Sequence, residues 1–101
     1  MRMMMYVSFP VETFNAAARD GSVGRKIQAI LEAQKPESVY FTDLHGKRTA
    51  VIVVEIAEAT QIPAMAEPWF LAFHAGIEMH PVMVPADLAA AGLEGLAKTW
   101  G

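Results

Sequence analysis

Apolar and polar positions along the chain fall into eight stretches with recognisable periods. Met3–Phe9 is apolar and extended in character, and Pro10 stops it, which predicts a strand. Pro10-Val11-Glu12 suits a helix start, and the helix is expected to run through the Ala-rich Asn15–Arg19 until Asp20-Gly21-Ser22 interrupts it. Ser22 is a candidate cap for a second helix, in which Val23, Ile27, Ile30, Leu31 and Gln34 recur at helical spacing; Lys35-Pro36 ends it. Ser38–Leu44 and Arg48–Ala57 are β-rich runs joined by His45-Gly46-Lys47, a hairpin signature. Thr60 is a candidate cap for the next helix, whose apolar stripe is Ile62, Met65, Ala66, Trp69, Phe70 and Phe73. Pro63 is tolerated in its first turn, while Pro68, inside the stripe, predicts a kink. Gly76–Val84 reads as a fourth strand, which Pro81 marks as an edge or a bulge. Pro85-Ala86-Asp87-Leu88 opens a short terminal helix that Gly92 stops.

The order β-α-β-β-α-β with a terminal helix predicts an α+β chain of the ferredoxin-like type. Its sheet has four antiparallel strands in the order 4-1-3-2. Strands two and four are then the edges, in agreement with Pro81. Alternation sorts the strand residues into two faces. One carries Met3, Met5, Val7 and Phe9; Val39 and Phe41; Ala50, Ile52, Val54 and Ile56; Ile77 and Met79. It is almost wholly apolar and belongs under the helices. The other is mixed, yet its middle (Met4, Tyr6, Val51, Val53, Val82) is too apolar for water. Such a patch marks an interface, and a second copy of the chain covers it most economically.

Composition supports that expectation. The chain has 101 residues, 53% hydrophobic and 19% charged, against roughly 45–50% and 25% in an average globular protein. Residues 1–101 are expected to form a single domain. No apolar run approaches the ~18 residues of a membrane span, and the first residues do not read as a signal peptide. The absence of cysteine excludes a disulfide framework or Cys-ligated zinc. The net charge is −3 and the basic residues are scattered, which argues against a nucleic-acid partner. A cytoplasmic homodimer with neither membrane nor nucleic-acid partner is the expectation.

Element order and strand polarity resemble the dimeric α/β-barrel superfamily, in which two ferredoxin-like subunits oppose their sheets. Glu67-Pro68-Trp69-Phe70-Leu71-Ala72-Phe73, His80-Pro81-Val82-Met83 and Pro85-Ala86-Asp87-Leu88 look like its small uncharacterised bacterial members. The resemblance implies a homodimeric barrel. The superfamily holds enzymes, such as monooxygenases and isomerases, and proteins without known chemistry, so membership carries no activity with it.

Candidate chemistry lies on the open face. Glu78 and His80 are two apart on one strand and point the same way, and Tyr6 lies on the neighbouring strand. Enclosed in a barrel, His80 beside Glu78 would be a catalytic base near neutral pH, with Tyr6, Ser8, Tyr40 and Thr42 binding a small, partly apolar ligand. Such a site would support a cofactor-independent oxygenation or isomerisation. The alternative is a polar network at a dimer interface, in a non-catalytic assembly or regulatory module. Trp69 and His74 are similar to a pair found in haem-degrading barrel monooxygenases. However, no Asn occurs in Met1–Pro10 to complete that set, so Trp69 is expected in the core and no cofactor is expected. Gly21–Lys26 lacks the spacing of a phosphate-binding Walker loop and reads as a helix start with solvated basic residues. His45, His74 and His80 have no metal-ligand spacing, and His45 is expected to be a solvated turn residue.

Overall fold

A computed structural model describes residues 1–101. Strand β1 (Arg2–Ser8) is followed by helices α1 (Val11–Asp20) and α2 (Val23–Gln34) and the hairpin β2 (Ser38–Leu44) and β3 (Lys47–Glu55). A 3-10 turn at Ala59–Gln61 leads into α3 (Ile62–Phe73), then β4 (Gly76–Pro81), α4 (Pro85–Ala90) and α5 (Leu93–Trp100). All strand pairs are antiparallel, in the order β2-β3-β1-β4, which is the expected order read from the other edge. The β2–β3 turn has two residues, His45 and Gly46, both at positive φ (55° and 75°), as the twist of a tight hairpin requires.

The core lies between one sheet face and α1–α3. Met3, Met5, Val7 and Phe9 from β1 and its end, with Ala50, Ile52, Val54 and Ile56 from β3 and its end, are buried there. Phe9 centres an aromatic cluster, edge-on to Phe73 (5.1 Å), Phe14 (5.3 Å) and Trp69 (5.9 Å). Arg48 ties α1 to β3: its guanidinium lies 4.3 Å from the Phe14 ring centroid, and it donates to Asn15 Oδ1 (2.9 Å).

A single buried amide joins α2 to α3. Pro68 lacks the N–H that would bond the Ala64 carbonyl four residues back. Gln34 Nε2 supplies the missing donor, reaching the carbonyls of Ala64 (3.3 Å) and Met65 (2.8 Å). On its other side, Gln34 Oε1 accepts from the indole N–H of Trp69 (3.3 Å), which is wholly buried. The helix therefore runs from Ile62 to Phe73 through the proline.

Several local expectations change. Phe41 shares the core face but is 57% exposed, because β2 is an edge that the helices do not reach at that point. Ser22 occupies the N-cap position of α2 in helical backbone geometry and makes no side-chain cap bond. Thr60 does not cap α3. Instead Gln61 Oε1 accepts the N–H groups of Ala57 (2.6 Å) and Glu58 (3.1 Å), closing the 3-10 turn. Strand β4 ends at Pro81, with one further ladder bond from Val82 N–H to the Arg2 carbonyl (3.1 Å). Successive N–H groups point to opposite sides of a strand, so the donor missing at Pro81 is on the outer edge. The terminal segment forms two helices rather than one: Gly92, in left-handed geometry, ends the first and starts the second.

Gln34→Leu should cost about 1–3 kcal/mol in urea denaturation, because it strands the Trp69 indole and the Ala64 carbonyl. The loss should be smaller in a Pro68→Ala background, where the restored N–H at position 68 satisfies Ala64. Equal losses in the two backgrounds would show that the amide does not repair the helix.

Candidate functional site

On the face away from the helices, the register arranges the side chains in rungs. One rung reads Ser38, Val53, Met4, His80; the next Tyr40, Val51, Tyr6, Glu78; the third Thr42, Thr49, Ser8, Gly76. All six expected site residues therefore lie on one face, within three consecutive rungs. They form two groups. Tyr6, Ser8, Glu78 and His80 share the adjacent strands β1 and β4. Tyr40 and Thr42 lie on β2 beyond the β3 column, about 10 Å from β1 at two strand spacings.

Within the first group, His80 Nε2 lies 4.0 Å from Glu78 Oε1, and the rings of Tyr6 and His80 meet edge-on with centroids 5.9 Å apart. The Tyr6 hydroxyl donates to Met4 Sδ (3.2 Å), a weak acceptor that an incoming oxygen can replace. His80 and Glu78 are mostly exposed, with side-chain accessibilities of 56% and 74%. In the single chain, water therefore screens the pair.

The third rung opens into a cleft of about 310 Å³. Tyr6, Ser8, Thr49, Gly76 and Glu78 line its floor, and the hairpin residues Leu44, His45 and Lys47 line its side. Gly76 helps to keep this cleft open. A Cβ placed there meets only the Ser8 Cβ, at 3.9 Å, so the position has room for a side chain that it does not carry. Thr49 is almost fully buried and donates to the Lys47 carbonyl (3.1 Å), which fixes the start of β3 against the turn. His45, Lys47 and Thr49 were not among the residues expected at the site. His45 is exposed at the turn, as expected, but it also borders the cleft. The shared rung of Ser8 and Thr49 was a usable signal for this end of the sheet. The turn borders this end because Leu44 and Lys47 pair as the next rung of the same face.

At the opposite end of the face, Arg2 grips the Glu37 carboxylate through Nε (3.1 Å to both oxygens) and a terminal nitrogen (2.8 Å). This hydrogen-bonded pairing with Glu37 raises the already high pKa of Arg2.

The remaining candidates do not join the site. Trp69 is in the core, and His74 is exposed in left-handed geometry at the end of α3. Before α2, Asp20 Oδ1 already accepts the Ser22 N–H (2.8 Å). The nearby Ser22 hydroxyl, which is buried and makes no hydrogen bond of its own, and this backbone bond hold the Asp20 carboxyl below the usual range, aided by Lys26 and Arg25. No group of three or more His, Asp or Glu residues is placed to hold a metal ion. No helix is long and apolar enough to cross a membrane.

No protein-family model matches the chain, and no curated protein matches it in sequence.

The two sheet faces should differ sharply on truncation. Met5→Ala removes a fully buried core side chain and should cost about 2–5 kcal/mol. Tyr6→Ala, next to it but half-exposed on the open face, should cost a monomeric chain less than about 2 kcal/mol in urea denaturation.

Proposed function

We propose that the chain works as a homodimer whose opposed sheets form an α/β barrel. In this reading, the cleft beside Tyr6 and Glu78 binds a small, partly apolar molecule. The observation that carries the reading is the 310 Å³ cleft on the same face as the His80–Glu78 pair. Its size is at the lower end of small-molecule sites. Its floor is apolar at the Tyr6 ring and its side at Leu44, while Lys47 and His45 at the hairpin can meet a polar or anionic group.

A second copy over the face removes water from His80 and Glu78. His80 then takes a proton from the ligand, and Glu78 stabilises the imidazolium that results. Tyr6 orients an oxygen of the ligand, with Ser8 adding a hydroxyl on the next rung, while Tyr40 and Thr42 meet only a ligand long enough to span the β3 column. Isomerisation and a cofactor-independent oxygenation by dioxygen both begin with such a proton abstraction. A second reading, a non-catalytic assembly or regulatory module, is favoured by the 4.0 Å separation of His80 and Glu78, which is longer than a hydrogen bond.

Two experiments test the proposal. Val51→Asp places a charge in the middle of the open face, between Tyr40 and Tyr6. It should convert a dimer into a monomer at micromolar concentration in sedimentation equilibrium. Val51 suits this test better than Val53, which is only 9% exposed and whose replacement would also strain the subunit. Gly76→Phe should fill the cleft without disturbing the backbone. It should weaken binding of the apolar anion anilinonaphthalene sulfonate by about tenfold or more, equivalent to ~1.4 kcal/mol. Unchanged binding would place the ligand elsewhere.

A further inference from the structure

Helices α4 and α5 form an arm that stands away from the rest of the chain. Every residue from Pro85 to Gly101 is exposed. The hydrogen bonds made by these residues stay within the segment from Val84 to Gly101. The long axis measures 59 Å against 28 and 19 Å for the others. The radius of gyration is 16.9 Å, whereas a compact chain of this length has about 13 Å.

The arm is not built for water. Leu93, Leu96, Ala97 and Trp100 recur at i, i+3, i+4 and i+7 and make one apolar stripe on α5. Met83 and Leu88 precede it, and Trp100 is 83% exposed. A helix of eight residues is marginal by itself and needs a surface to pack on.

We propose that the arm docks on a second copy of this chain, in the groove between α2 and the β2 edge, and that the second copy returns its own arm in the same way. This rests on the opposed-sheet dimer of the preceding section. A two-fold axis parallel to the strands lays the order β2-β3-β1-β4 over its own reverse. Edge β4 of one copy then faces edge β2 of the other. The arm leaves the end of β4 and so arrives beside the partner's β2. There Ile27 and Leu31 of α2 and the exposed Phe41 of β2 line an apolar groove of about 550 Å³, which nothing in the chain itself fills. The helices of the arm add roughly 20 Å of reach, enough to cross the ~10 Å between packed sheets and turn the edge. Trp100 alone offers roughly 150–250 Å², and with Leu88, Leu93 and Leu96, all exposed, each docked arm buries on the order of 500 Å² and covers as much again on its partner. Two reciprocal arms therefore reach the ~1,200–2,000 Å² of a stable interface.

The chain has no cysteine, so introduced cysteines report the placement without background. Thr99 flanks the stripe on α5 and Gln28 flanks the groove, both exposed. An untagged Thr99→Cys copy mixed with a tagged Gln28→Cys copy should be joined by a short bis-maleimide linker. The double variant Leu96→Ala, Trp100→Ala should weaken the dimer by about tenfold or more in sedimentation equilibrium. A dimer that neither cross-links in this way nor weakens overturns arm exchange while leaving the opposed-sheet dimer intact. A wild-type monomer overturns both.

Discussion

The fold depends on one buried amide. The wholly buried indole of Trp69 requires an acceptor, and Pro68 beside it leaves a carbonyl without a donor. Gln34 answers both from the neighbouring helix, so α2 and α3 are fixed in position and rotation, not merely pressed together. With the helices held, Trp69 and Phe73 pack on Phe9 and one face of the sheet is sealed. The other face stays open because strand alternation sends Met4, Tyr6 and Ser8 away from the helices.

Much of this was legible in the sequence because strands have a period of two. Once Met3, Met5 and Val7 were assigned to the core, Met4, Tyr6 and Ser8 had to face the other way, and the register followed. Gln34 was visible only as a polar residue at an apolar helical position. Its partners lie about 30 residues away in the chain, and no local pattern points to them. Phe41 shows the limit of alternation: the pattern names a face, but cover depends on how far the helices extend over it. The second arm helix was missed because Gly92 reads as a stop, while in left-handed geometry it also begins a new turn.

Candidate site residues were legible to the same extent. Sequence spacing placed Glu78, His80 and Tyr6 together, and the expected strand order already set Tyr40 and Thr42 apart from them, on the far side of the β3 column. The cleft itself owes its shape to two features with little sequence signal. One is a hairpin whose last rung, Leu44 and Lys47, extends past the ends of β1 and β4. The other is Gly76, whose contribution is the side chain it lacks.

The two edges of the sheet are protected unequally. At β4, Pro81 removes an outward donor, and the chain leaves the sheet after one more ladder bond, at Val82. A further strand finds that ladder interrupted at its C-terminal end. Edge β2 has no proline and presents Tyr40 and Phe41 to solvent along an unbroken seven-residue strand. Edge-to-edge pairing is therefore easier at β2 than at β4. The aggregation hazard of the chain is concentrated along edge β2.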